Sequence, residues 1–170
     1  MKGRWTIIAV VVPVLGLLAL VGRSEYATRH GLGWTIPIEG YDPRDLLHGH
    51  YLQYRYRFQW EGVDTCGDTG AIERAPAPGC CLCLTSVGVS GYDPRVRQMH
   101  CDEAEQVCDG SLRAESVMGP QQYFVPEDRA LDLENALRQR EAAIELAIDP
   151  KGNAAVRELM LDRRPWREAL

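Results

Sequence analysis

Lysine is almost missing from this chain: Lys2 and Lys151 are the only two, and apart from four histidines every other basic side chain is an arginine. That scarcity weakens any reading as a serine nucleophile served by a neighbouring lysine base. A basic tract is lacking too, as is any stripe of aromatic and basic residues. With a formal net charge of −5, the chain shows no electrostatic footprint for nucleic acid. The two separated C-x2-C pairs of a structural zinc site are absent. Ser86, Ser90, Ser111 and Ser116 stand in no nucleophile context, and Asp42 with Asp45 is a turn pair of ordinary solvated carboxylates. The expectation from these absences is a protein that is not an enzyme and carries no cofactor.

What is present begins at the N-terminus. Trp5 to Gly22 contains no charged residue, close to the ~20 residues a membrane-spanning helix needs. Pro13 and Gly16 interrupt it, which a bilayer tolerates. Lys2 and Arg4 precede the run and favour a cytoplasmic N-terminus, although Arg23 and Arg29 beyond it reduce the asymmetry. Trp5 and Tyr26 fall where interfacial aromatics belong. The rival is a cleaved signal peptide, whose apolar core spans ~7–15 residues and ends in a small-x-small site. This run is longer, and Ala19-Leu20-Val21-Gly22 is a poor site. The expectation is a signal-anchor over 1–23, a juxtamembrane linker over 24–33, and an exported domain over 34–170. In a bacterium that means a single-pass inner-membrane protein with its C-terminal domain in the periplasm.

The clearest element of that domain is Leu52 to Trp60. Leu52, Tyr54, Tyr56, Phe58 and Trp60 alternate with Gln53, Arg55, Arg57 and Gln59, the period of two of a strand covering a core on one side. Further strands are expected at Trp34–Ile38, Cys80–Val89, Val96–Cys101, Gln106–Cys108, Ser111–Val117 and Tyr123–Val125. A helix over 127–140 has Glu127, Asp128 and Asp132 toward its start and Arg138 and Arg140 at its end, complementing the helix dipole. Its apolar stripe is Ala130, Leu133 and Leu137, and Pro126 suits its first position. Ile144–Ile148 and Val156–Leu161 form a hairpin around Asp149-Pro150-Lys151-Gly152. The sum is a mainly β (α+β) domain, antiparallel, with one packed helix and the outline of a partly open barrel. Gly-Tyr-Asp-Pro-Arg occurs at Gly40–Arg44 and again at Gly91–Arg95; the flanks differ, so it reads as one turn used twice.

Pro43-Arg44-Asp45-Leu46-Leu47-His48-Gly49-His50-Tyr51-Leu52-Gln53-Tyr54-Arg55-Tyr56 resembles the signature of the GDYXXLXY family of small membrane-anchored bacterial proteins. Gly49, Tyr51 and Tyr56 match its fixed positions, and Asp42, Pro43, Arg44 and Leu47 match its lead-in. His50 stands where the family has Asp, and Tyr54 where it has Leu. Tyr123-Phe124-Val125-Pro126-Glu127, with Glu134 beyond, is similar to the family's second block, and the terminal hairpin resembles its third. The resemblance implies an uncharacterised accessory protein working beside a multi-pass inner-membrane protein. Asp42 to Gly49, a turn on a rigid sheet, is the expected interaction surface.

Six cysteines, Cys66, Cys80, Cys81, Cys83, Cys101 and Cys108, fit a disulfide framework in an oxidising compartment. Cys101 and Cys108 flank an expected hairpin around Asp102-Glu103-Ala104 and are expected to bridge. Cys66 can reach one of the Cys80, Cys81, Cys83 group. On a strand Cys81 and Cys83 share a face and Cys80 points the other way. The alternative is a thiol-based metal-binding or redox module using this cluster, with Cys81, Cys83 and Cys66 or His100 as soft-metal ligands. His48 and His50 with Asp45 offer a weaker site, short of a full ligand set.

Overall fold

The computed structural model describes residues 2–40, 51–61, 66, 79–87 and 91–170, without the side chains of residues 2–8 and 27. An apolar helix, α1 (Lys2–His30), leads into β1 (Leu32–Gly40), and β2 (Tyr51–Tyr56) and β3 (Gln59–Trp60) follow. After β4 (Cys80–Thr85) and β5 (Arg95–His100) come a short helix α2 (Cys101–Val107), β6 (Gly110–Arg113) and β7 (Gln121–Phe124). The chain then forms α3 (Glu127–Leu137), β8 (Ala142–Ile148), β9 (Ala154–Leu161), β10 (Arg164–Pro165) and α4 (Trp166–Ala169). Six strands make one sheet in the order β10-β9-β8-β1-β2-β7, and four make a second in the order β3-β5-β4-β6. All pairings between named strands are antiparallel except β3 with β5. The domain is the β-rich, antiparallel one expected.

β1 gives the larger sheet its curl. Leu32–Pro37 pairs with β8 and Ile38–Gly40 pairs with β2, so the strand changes partner at Pro37, which has no N–H to donate. The freed edge of its first half is met by the second Gly-Tyr-Asp-Pro-Arg copy: Thr35 N–H donates to the Gly91 carbonyl and Asp93 N–H to the Thr35 carbonyl. That turn therefore stitches β1 to the start of β5. A second stitch joins the β8–β9 turn to β6, where Arg113 N–H donates to the Gly152 carbonyl at 2.9 Å. Between the sheets lie Trp34, Ile36, Ile144, Leu146 and Leu159 from one side and Leu82, Leu84, Val96 and Leu112 from the other, all buried in one core.

Leu52 to Trp60, expected as one strand, is two. β2 ends at Tyr56 in the larger sheet, and β3 belongs to the smaller. Arg57 N–H donates to the Pro37 carbonyl and Glu61 N–H to the Val96 carbonyl, so the segment crosses between sheets while staying extended. Extended backbone keeps the period of two. Leu52 and Tyr54 are fully buried, while Tyr56, Phe58 and Trp60 are half-buried against the same core. Their rings follow one another at 5.3, 5.8 and 5.6 Å from Tyr54 to Trp60.

The expected hairpin at Asp102-Glu103-Ala104 is instead α2. Asp102 and Glu103 occupy its first turn, where acidic groups favour a helix N-terminus. Ser111–Val117 is strand only to Arg113 and then one 3-10 turn. α3 begins at Glu127 as expected, with Pro126 as its N-cap and not its first helical residue, and ends at Leu137, short of the expected Arg140. It buries Ala130 and Leu133. The segment read as a linker forms the last two turns of α1, up to His30.

α1 is 29 residues long, about 43 Å at 1.5 Å per residue, and Ala9–His30 is apolar enough to cross a membrane. Its last turn is contacted by a side chain of the sheet. β8 and β9 pair in one register up to Glu145↔Glu158 and in another from Leu146↔Val156. Arg157 is thus the extra residue of a β-bulge, the feature that re-aims a side chain out of the regular alternation. Its Nε donates to the Thr28 carbonyl at 2.7 Å and its Nη2 to the Gly31 carbonyl at 2.8 Å.

Candidate functional site

The two sequence blocks that carry the family resemblance are neighbours in space. β2 and β7 pair antiparallel, with Tyr51 opposite Phe124, Leu52 opposite Tyr123, Gln53 opposite Gln122 and Tyr54 opposite Gln121. The Tyr51 and Phe124 rings meet edge-on with centroids 6.2 Å apart. Phe124 is 74% exposed, a large apolar surface on an edge strand that has no second partner among the described residues. Such edges are usually blunted by charge, and this one presents an aromatic pair.

Behind that pair the motif residues are structural. Leu52 and Val125 are buried. The Tyr123 hydroxyl accepts a hydrogen bond from Trp166 Nε1 at 3.2 Å and faces the Glu158 carboxylate at 3.5 Å, so the second block holds the buried Trp166 of α4. Tyr54 fills the slot where the family has Leu: its ring is 1% exposed, and its hydroxyl lies 3.2 Å from that of Tyr56. Burial pushes both phenols above their ordinary range; at Tyr56 the neighbouring Tyr54 adds to the rise. Glu127 lies exposed in the first turn of α3, and Glu134 forms an ion pair with Arg138 one turn on. Asp42, Pro43, Arg44, Leu47 and Gly49, together with Asp45, His48 and His50, lie outside the described residues.

All six cysteines are consumed in three bridges: Cys66–Cys80, Cys81–Cys101 and Cys83–Cys108, with Cα–Cα distances of 5.8, 4.8 and 5.4 Å. Cys66 does reach the Cys80 group, and Cys81 and Cys83 do share a face of β4 opposite to Cys80. The expected Cys101–Cys108 bridge is wrong. The helix between them holds the two Cα atoms about 10 Å apart, beyond the ~7 Å that a disulfide spans. Each instead reaches across to β4, so α2 is pinned at both ends over Cys81 and Cys83, with Ala104 and Met99 buried beneath. With all six sulfurs bridged, no free thiolate faces a metal, and the described residues hold no cluster of three His, Cys, Asp or Glu side chains fit for a metal ion, so the structure does not favour the thiol-based alternative. His100 lies 3.8 Å from Cys66 Sγ, a contact with a bridged sulfur.

Sequence reasoning missed the Arg157 bulge and the burial of Trp166. Both depend on strand register and on partners remote in the chain, and neither leaves a local pattern.

No curated protein and no solved structure matches the chain. A protein-family model does, that of the GDYXXLXY protein, over residues 13–159. The match runs from inside α1 to β9 and takes in both motif blocks, the three bridges and most of the two sheets. The chain belongs to the GDYXXLXY family.

Proposed function

We propose that this protein is a non-catalytic, membrane-anchored accessory protein whose β-domain sits in the periplasm and binds a multi-pass inner-membrane protein. The observation that carries the reading is the meeting of the two family blocks at β2 and β7, with the Tyr51–Phe124 pair displayed on an open edge. An exposed Phe124 on the edge strand, backed by the half-buried Tyr51, suits protein recognition, because it buries much apolar surface at little conformational cost. Anchoring is supported by the apolar stretch Ala9–His30. Export is supported by three disulfides, which persist in oxidising compartments and are rare in the cytosol. The multi-pass partner is what the family resemblance implies.

The test is affinity capture of the intact chain from detergent extracts, beside a Tyr51→Ser/Phe124→Ser variant. One multi-pass membrane protein should come down with the native chain, and recovery should fall about tenfold with the variant, the scale of an interface hot spot. Equal recovery from both would remove the aromatic pair from the role. An alkaline phosphatase fused after Leu170 should be active; activity only from a cytosol-dependent reporter would overturn the location.

A further inference from the structure

We propose that Arg157 locks α1 to the sheet, so that the apolar helix and the β-domain form one rigid body and any tilt or rotation of the helix is handed directly to the β8–β9 hairpin. The end of an α-helix leaves backbone carbonyls without partners and carries partial negative charge. In a tethered domain water would satisfy those groups and the following residues would swivel. Here one guanidinium takes two of them and the carbonyl just past the helix: Nε to Thr28 at 2.7 Å, Nη2 to Arg29 at 3.3 Å and Nη2 to Gly31 at 2.8 Å. Its remaining arm, Nη1, pairs with Glu145 at 3.2 Å on the neighbouring strand. The planar fork of arginine can serve several acceptors in fixed directions, which the single point charge of lysine cannot.

Three further features serve the same contact. The bulge between Glu145 and Leu146 supplies Arg157 as the extra residue. Gly33 clears its path: a Cβ there would stand 3.0 Å from Arg157 Nη1. Gly31 allows the chain to leave the helix hard against the sheet, where a Cβ would meet the backbone of Ile148 at 2.9 Å. With Arg157 and Glu145 both largely shielded, at 25% and 32% side-chain exposure, solvent screens the contact less than it would an open surface pair.

The experiment uses the full chain in detergent micelles. Spin labels on cysteines introduced at Ser24 and Lys151 report the helix-to-domain distance, and trypsin reports access to the Arg29–His30 bond. The native chain should give one narrow distance distribution and resist cleavage. Arg157→Gln should broaden the distribution and speed cleavage roughly tenfold through local opening, while the β-domain keeps its thermal transition. Arg164→Gln, an exposed arginine outside the contact, should behave as the native chain. A broad distribution in the native chain, or an Arg157→Gln variant as narrow and as resistant as the native one, overturns the proposal. Should Arg157→Gln lose its fold, Glu145→Gln serves in its place; it leaves the carbonyl contacts but frees one arm of the fork, and should broaden the distribution less.

Discussion

The two sheets are held by different means. In the larger sheet, β8 runs between β1 and β9 along its whole length and buries Ala143, Ile144, Leu146, Ala147 and Ile148. Apolar burial and ladder hydrogen bonds suffice there, and no cysteine is used. In the smaller sheet, β4 is buried on both faces. Its inner face joins the common core, and among the described residues its outer face is covered by α2, seven residues long. A helix that short is not stable in water on its own. Two bridges hold it in place, with a small second cluster of Cys81, Cys83, Met99 and Ala104 beneath. Covalent links thus replace the apolar area that the smaller sheet's outer layer lacks.

Reduction should break this comparison most strongly. The bridges close loops with separations of 14, 20 and 25 residues, and constraining a loop of this size is worth about 3 kcal/mol. Amide exchange with reductant present should therefore lose about two orders of magnitude of protection in α2 and β4 first, while β8 and β9 keep theirs. Simultaneous loss in both sheets would show that the bridges support the whole domain. Peptide mapping of the unreduced protein should also find Cys81–Cys101 and Cys83–Cys108; a Cys101–Cys108 fragment would overturn the account of α2.

A middle-sized effect lies where the sheets touch. A Cβ at Gly110 of β6 would stand 2.8 Å from Nε1 of the buried Trp34 of β1. An enclosed indole cannot give way, so Gly110→Ala should cost about 1–3 kcal/mol by overpacking. A denaturant midpoint equal to that of the native chain would show that the sheets can slide apart there.

The smallest effect sharpens the larger sheet's independence from covalent links. Its hairpin turn rests on Asp149, whose carboxylate accepts from Lys151 N–H at 2.8 Å, Asn153 N–H at 2.9 Å and the Asn153 side-chain amide at 2.8 Å. Partial burial alone would raise this carboxyl, but the Asn153 side chain, the two N–H groups and the Lys151 charge outweigh it and hold it below its usual value. A lowered folded value means the stabilisation is complete above the unfolded value of about 3.9 and is lost as pH falls through the folded one. Asp149→Asn should therefore lower the melting temperature slightly at neutral pH, with the difference from the native chain shrinking below about pH 4. A difference that persists at pH 2 would assign the effect to something other than the charge.

Much of the larger sheet is legible in the amino-acid sequence. The charge-free run forecasts α1, the alternation from Leu52 forecasts which side chains turn inward, and Asp149-Pro150-Lys151-Gly152 forecasts the hairpin. These are local patterns of period and turn chemistry. The break after Tyr56 is hidden because a chain crossing between sheets keeps the same alternation. Disulfide pairing is half legible: parity places Cys81 and Cys83 on one face of β4, but the partner face depends on Cys101–Val107 being a helix. Of the candidate site, the pairing of β2 with β7 can be inferred only as two blocks of one family. Arg157 is invisible, since its carbonyl partners lie 126 to 129 residues earlier.

The helix between Cys101 and Cys108 also bears on how the chain matures. Before α2 forms, those two sulfurs are separated by the shortest loop among the six apart from the Cys80, Cys81, Cys83 cluster, and short flexible loops close most readily. A freshly oxidised chain will therefore tend to trap them with each other, in a union the finished helix forbids. Escape requires attack by a third thiolate, so an isomerase should quicken maturation more than added oxidant does.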